Sequence, residues 1–362
     1  MAVAWIGNRE APVEHAAEHA AALLASSRCP VISFDTDIHG TRAAIALAER
    51  VGAAYDHLDG KALALEAALF TDKGGMFVAP GEVRRRADVI VVVGELPEVH
   101  HGLVAELAET APDFSSASGR AFFLIGNAET PTLPLGDTRK AILLLCGADL
   151  GATLAALRAQ CAGRQVAARV ENFDRFVGAL AAARFPVFLF SSHTAGGLAL
   201  EMLQGLIADL NNEGRASALH LPVSESGWGA VLASTWMTGF PPRASFARGF
   251  PEFDPWRFDV ARMLAGREAD CHLWISARES LPLPESNGVP LIVLAKTSKP
   301  VTGAEVTIAI GEARVDHDAV VYSARTGSLR SVAARSASQQ PSAATVLRLI
   351  AGHVAAEAPS PC

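Results

Sequence analysis

The sequence predicts an α/β fold, doubly wound around mostly parallel sheets, and three observations carry that expectation. Short apolar runs such as 89–94 (VIVVVG) and 141–146 (AILLLC) are continuous rather than alternating, as strands covered on both faces require. Segments with helical spacing lie between such runs, giving a repeated β-α rhythm. The chain has 362 residues, half of them hydrophobic, which suffices for two lobes.

Taken in order, an Ala-rich helix opens the chain ahead of a first strand at 30–34. Further strands are expected at 89–94, 121–126, 141–146, 186–191, 218–223, 272–276, 290–295, 305–310 and 319–323. Helical patterns fall at 40–51, 104–111, 150–162, 172–183 and 195–210. In the last of these Leu200, Leu203, Ile207 and Leu210 form one stripe, with Glu201, Gln204 and Asp209 off it. Arg84, Arg85 and Arg86 sit late in another helix, where cations offset the negative end of the dipole. The polar stretch 333–341 precedes a closing helix aligned on Val346, Ile350 and Val354. Residues 227–255 stand apart. Four prolines, two arginines and several Trp and Phe residues with little periodicity read as an irregular functional loop or contact surface.

Composition narrows the function. A formal charge of -7 without a large basic cluster argues against a nucleic-acid partner. No stretch approaches the ~20 apolar residues of a membrane span, and the first residues lack a secretion-signal pattern. A cytoplasmic protein that buries surface against partners is expected. The five cysteines (Cys29, Cys146, Cys161, Cys271, Cys362) contain no Cys-x-x-Cys pair, which rejects a ferredoxin segment or zinc ribbon and suggests reduced thiols.

Catalytic motifs are scarce. There is no G-x-G-x-x-G after a strand, no Walker A sequence and no G-x-S-x-G elbow. His15, Glu18 and His19 match H-x-x-E-H, but on an Ala-rich terminal helix the spacing reads as an exposed face. Asp316-His317-Asp318 reads as a polar turn rather than an acid–base or metal cluster. His100-His101 follows a strand at the carboxyl edge where such folds bind ligands, although a solvated helix start explains it as well. Ser191-Ser192-His193, followed by Gly196-Gly197, either cradles an anion on free N–H groups or lets helix pack closely on strand.

Longer signatures are more specific. Thr238-Gly239-Phe240-Pro241, Arg248-Gly249-Phe250-Pro251 and Asp254-Pro255 resemble the Gly/Pro turns of the tungsten- or molybdenum-containing B subunits of formylmethanofuran dehydrogenases. Residues 82–94 with Leu96-Pro97 and His100-His101, together with 41–51 and 314–318, are similar in style, so the resemblance spans most of 25–355. Two departures stand out. Catalytic members open with a cysteine cluster for an iron–sulfur centre, and they carry a metal-ligating Cys. Here no cysteine precedes Cys29, and the matching stretch is His57-Leu58-Asp59-Gly60-Lys61. A soft metal held by dithiolenes takes a protein thiolate, which neither Leu58 nor Asp59 supplies.

The resemblance therefore points to the B subunits of bacterial formyltransferase/hydrolase complexes. It implies two Rossmann-like lobes of molybdopterin-oxidoreductase type without the iron–sulfur domain: a discontinuous lobe of 1–55 plus 185–362, and an inserted lobe of 56–184. It implies a non-catalytic scaffold, with no cofactor, metal or catalytic residue of its own. In such complexes a formyl group passes from formyl-tetrahydromethanopterin to a methanofuran-type carrier and is released as formate. The implied partners are a formyltransferase subunit, an amidohydrolase-type subunit and a further subunit. Ser192, His193, Gly196, Gly239, Arg248 and Gly249 are candidates for a vestigial pocket. Two alternatives stay open: a subunit that still binds a pterin or nucleotide there, and an unrelated α/β enzyme using His100, His193 or Asp316.

Overall fold

Strand pairing in the computed structural model sorts the described residues into a nine-stranded sheet, a five-stranded sheet and a two-stranded hairpin. The described residues are 3–72, 74–115, 119–126, 133, 135, 140–146, 149–192, 195–278, 281–284, 288–336, 338 and 340–354. They form two units. The first takes residues up to 64, 225–322 and those from 329 on; the second takes 65–224 and 323–328.

The chain begins with β1 (Ala4–Ile6), β2 (Arg9–Ala11), α1 (Val13–Ser26), β3 (Pro30–Asp35), α2 (Ile38–Val51), β4 (Ala54–His57) and α3 (Gly60–Asp72). Next come α4 (Pro80–Arg86), β5 (Val89–Val93), α5 (His101–Glu109), β6 (Ala121–Gly126), β7 (Ile142–Leu145), α6 (Leu150–Cys161), α7 (Phe173–Ala182), β8 (Pro186–Phe190), α8 (Gly197–Leu210) and β9 (Ser217–His220). The remainder holds α9 (Glu225–Thr238), β10 (Ala244–Ser245), β11 (Glu252–Phe253), α10 (Val260–Ala265), β12 (Cys271–Ser276), β13 (Leu291–Ala295), β14 (Val306–Ala309), β15 (Ala319–Ser323), β16 (Ser328–Val332) and α11 (Ala343–His353).

The sheet of the first unit runs β11-β10-β4-β3-β12-β13-β14-β1-β2. Its centre, β4 to β14, is parallel, and antiparallel strands close both edges. Alternation along β3 explains the unbroken apolar sequence. Ile32 and Phe34 join a core with α1, α2 and α11, whereas Val31 packs with Val260, Met263 and Leu264 of α10. Both faces are covered, so every position is buried. Asp37 caps α2 by accepting the Gly40 N–H at 2.9 Å. Gly40 must lack a side chain, since a Cβ there would meet the Thr36 Oγ1 at 2.3 Å.

The second sheet is fully parallel in the order β7-β6-β5-β8-β9. Val89, Val91 and Val93 of β5 face Phe188, Phe190 and the α6 and α8 side chains, while Ile90 and Val92 are buried on the other face. Buried Arg120 donates to the Ala87 carbonyl at 3.0 Å and the Leu107 carbonyl at 2.9 Å, near the carboxyl ends of α4 and α5. The guanidinium thus satisfies orphan carbonyls of helix termini.

Three expectations change. The lobe expected to end at 184 runs on to 224, because β8 pairs with β5 and β9 with β8, drawing residues 185–224 out of the expected 1–55 plus 185–362 lobe. The segment 227–255 is not irregular throughout. Its first part is α9, whose buried side is made of Gly227, Gly229, Ala230, Val231, Ala233 and Ser234. A Cβ on Gly229 would stand 3.0 Å from the Ile38 Cδ1, so small residues let α9 lie close to α2. Finally, β1 and β2 precede α1, which is therefore not ahead of the first strand.

Candidate functional site

In an open parallel sheet, a crevice forms at the carboxyl edge where strand order reverses. In the first unit that point lies between β3 and β12, and the residues leaving the strands there are charged. Asp35 ends β3, His57 ends β4 and Arg278 follows β12. Arg278 Nη1 lies 3.0 Å from Asp35 Oδ2, and His57 Nε2 lies 3.7 Å from Asp35 Oδ1. Burial pushes the Asp35 carboxyl up, but His57, Arg278 and Ser226 outweigh it and hold the group below the usual carboxylate range. Farther along this edge, Lys296 Nζ stands 3.2 Å from Glu312 and 3.6 Å from Asp316.

Asp35, His57 and Asp59 offer ligand atoms within 4.8 Å of one another, a spacing that invites a divalent cation. Proton counting opposes it. The Asp59 N–H donates to His57 Nδ1 at 3.0 Å, consuming the one lone pair of the neutral imidazole. Nε2 therefore carries the proton, 3.7 Å from Asp35 Oδ1 and without a hydrogen-bond partner. A metal on Nε2 would need that position bare and Nδ1 protonated against a donor. Arg278 already balances the Asp35 charge.

These residues also do not fit a soft metal held through a thiolate. Cys29 and Cys271 lie at the amino ends of β3 and β12, opposite the crevice, and Cys146 and Cys161 belong to the second unit; Cys362 lies outside the described residues. Burial pushes Cys271 up to about 12 and Cys161 up to about 11, so both remain thiols. The arrangement balances its charges internally, and Asp35 Oδ2 and His57 Nε2 are buried without a hydrogen bond.

The other sequence candidates divide between the units. In the second, order reverses between β5 and β8, and Ser191 and Ser192 follow β8. The Ser192 hydroxyl donates to Glu66 Oε1 at 2.8 Å, a carboxylate that also accepts the Val223 N–H at 3.0 Å and faces His220 Nε2 at 3.4 Å. Ser192 is thus committed to a buried acid rather than an anion cradle. His193 lies outside the described residues. Gly196 is the exposed N-cap of α8, and an added Cβ would meet nothing within 4 Å, so close packing does not require it. His100 is buried with Nε2 donating to the Pro222 carbonyl at 2.7 Å, and His101 Nε2 donates to the Leu96 carbonyl at 3.1 Å. Neither is a solvated helix start.

In the first unit, Gly239 (φ 84°) ends α9 and Gly249 (φ 81°) makes a turn, both needing the left-handed region. Arg248 pairs with Glu252 at 3.0 Å and lies over the Phe250 ring. Asp316 accepts the Glu312 N–H at 2.8 Å and His317 donates to the Asp318 carbonyl at 2.8 Å, a polar turn as expected. His15, Glu18 and His19 lie on the outward side of α1, away from its buried alanines.

Sequence reasoning missed Glu66 and the network around Asp56. Arg243 stands 3.1 Å from Asp56 and 2.8 Å from Asp259. Burial pushes the Asp56 carboxyl up to about 7, against the pull of Arg243. A Glu inside the apolar run LALEAALF was the visible signal for the first. Arg243 gave none, since its partners are remote in sequence.

Fold and site together define a two-unit α/β protein with an acid beside an imidazole at the carboxyl edge of the parallel strands of each unit. Comparison with known proteins gives that class a family. The chain is 36% identical over 317 residues to the B subunit of the formyltransferase/hydrolase complex Fhc of Methylorubrum extorquens, covering 85% of this chain and 84% of the relative. It belongs to the family of formyltransferase/hydrolase complex B subunits. It is 24% identical over 338 residues to the B subunit of tungsten-containing formylmethanofuran dehydrogenase 2 of Methanocaldococcus jannaschii, covering 85% and 75% of the two chains. Among solved structures, a chain of the Methylorubrum extorquens FhcABCD complex, crystallised with methylofuran, superposes with a TM-score of 0.85 at 34% identity, covering 97% of this chain and 98% of that one. No family model matches the sequence.

Proposed function

We propose that this chain is a non-catalytic structural subunit of a formyltransferase/hydrolase complex. The complex passes a formyl group from formyl-tetrahydromethanopterin to a methanofuran-type carrier and releases formate. The partners are a formyltransferase subunit, an amidohydrolase-type subunit and a further subunit, assembled in the cytoplasm. In this reading the two units are Rossmann-like lobes of a molybdopterin-oxidoreductase-like shell that lacks the iron–sulfur domain.

One observation carries the scaffold reading. At the carboxyl edge of the first sheet, Asp35 is paired with Arg278 and His57, and the imidazole lone pair is taken by the Asp59 N–H. The charged groups at this edge are balanced by one another, and the family resemblance supplies the partners. Absence of a long apolar helix among the described residues fits assembly away from the bilayer core.

The test is co-expression of the tagged chain with candidate partner subunits, followed by mass spectrometry, metal analysis and a formate-release assay. Three other subunits should co-purify, and the isolated chain should release no formate from the formyl carrier. Formate release by the chain alone, or stoichiometric tungsten or molybdenum in it, would overturn the proposal.

A further inference from the structure

We infer that His15 and His19 of α1, with the Glu18 carboxylate as a third ligand, bind a zinc(II) ion on the outer face of that helix. The inference goes beyond the subunit reading and does not depend on it, since all three residues belong to one helix of the first unit.

The helix holds these residues in a fixed arrangement. Ala16, Ala17, Ala20, Ala21 and Leu24 seat one side of α1 in the core of the first unit. The opposite side is thereby set in place, with His15 and Glu18 exposed and His19 half-buried. At about 3.6 residues per turn, His15 and His19 stand one above the other, ~6 Å apart along the axis. That is the spacing at which two imidazoles on one helix share a metal ion. Glu18 follows His15 by three residues and falls within ~60° of it around the axis, on the same side.

Two further observations point to a cation. Among the described residues, neither His15 nor His19 has a hydrogen bond or an ion pair, whereas His57, His100, His101, His272 and His317 each hold a partner on a ring nitrogen. The two imidazoles at metal-ligand spacing are thus uncommitted. The charge along the helix is also unbalanced. Glu14 and Glu18 form a like-charged pair at i and i+4, α1 contains no Lys or Arg, and neither carboxylate has an ion pair among the described residues. Glu14 lies in the first turn, where the helix dipole favours an acid, but Glu18 is a turn farther on. A divalent cation held by two neutral imidazoles removes that repulsion and gives Glu18 a partner. Two nitrogens and a carboxylate oxygen suit zinc, with water in the fourth position. An open helix face excludes no water, so the ion braces α1 and performs no reaction there.

The experiment is a calorimetric titration of the metal-free full chain with zinc chloride, repeated on His15→Ala, His19→Ala and Glu18→Gln. Alanine and glutamine are good helix formers, so the variants should keep the wild-type circular dichroism without metal. The wild-type chain should bind zinc and melt at a higher temperature with it, and EDTA should reverse both. Each histidine variant should weaken binding by ~10-fold or more, because even groups behind a metal ligand are worth that much, and should lose the melting shift. Glu18→Gln should weaken binding several-fold. Zinc should also shield His15 and His19 of the wild-type chain from diethyl pyrocarbonate, a reading that needs no variant. No zinc binding by the wild-type chain, or unchanged affinity in either histidine variant, overturns the site. Modification of His15 and His19 that zinc leaves unchanged overturns it as well, whether or not the variants fold. Unchanged affinity in Glu18→Gln strikes the carboxylate from the ligand set.

Discussion

The carboxyl edges of the two parallel sheets carry the same kinds of residue, an acid against an imidazole, yet hold them differently. In the first unit Asp35 is flanked by His57 and by Arg278, which is 39% exposed in its side chain, so water reaches the pair. In the second, Glu66 is wholly buried and its neighbours Ser192, Val223 and His220 lie within 3.4 Å. One edge is neutralised at its rim and the other is sealed. The difference teaches that the same acid–imidazole pair is held in one unit where water reaches its cation and in the other where none of it is exposed.

Breaking the sealed edge should have the largest effect. Glu66→Ala strands a buried hydroxyl and an N–H and empties a buried site, and should cost about 3–5 kcal/mol in urea unfolding. A loss below 1 kcal/mol would mean water reaches that edge after all.

Titration probes the interior of the first unit. Burial pushes His272, whose Nε2 lies 2.7 Å from the Ser33 hydroxyl, down to about 4. The unfolded chain takes up that proton near pH ~6.5, so stability falls as pH drops from there toward 4. The loss should be on the order of 3 kcal/mol, and His272→Gln should flatten it. Asp56 acts in the reverse direction. Its carboxyl is raised to about 7, so its contribution is present at low pH and lost as pH rises through that value. Asp56→Asn should remove this second slope, which pH-dependent melts of the two variants would separate.

The rim pair should matter less. Arg278→Ala leaves Asp35 with His57 and admits water, for a loss of about 1 kcal/mol by the same melts. A loss of 3 kcal/mol or more would erase the contrast between the two edges. The smallest stability effect is expected at Trp256→Ala, within about 0.5 kcal/mol, since that residue is 71% exposed.

What the sequence disclosed follows from the same physics. Strands such as β5 and β12 were legible because coverage on both faces leaves only apolar positions. β4 was not, since its four residues include the buried polar groups Asp56 and His57, the first paired with Arg243 far along the chain. α9 escaped because its apolar and small residues surround the axis instead of forming one stripe. Phe246, read from sequence as part of an aromatic surface, is buried against Tyr55 with centroids 6.0 Å apart, while Trp236, Phe240, Phe250 and Trp256 do face outward. The missing thiol at 57–61 was legible from the family signature alone. The pairing that closes the crevice was not, because Arg278 is more than two hundred residues from Asp35 in sequence.

Gly60 sets a limit on how this chain can drift or be redesigned. A Cβ there would fall 2.1 Å from the Asp56 Oδ1, the carboxylate that steadies Arg243. Any side chain at position 60 must displace Asp56, and the disturbance reaches the exposed aromatic turns some two hundred residues downstream. Grafting a thiol into the 57–61 stretch to restore a redox centre would thus meet an epistatic constraint. Position 59 is open to trial, but a side chain at position 60 meets Asp56, which pairs with Arg243, which in turn pairs with Asp259.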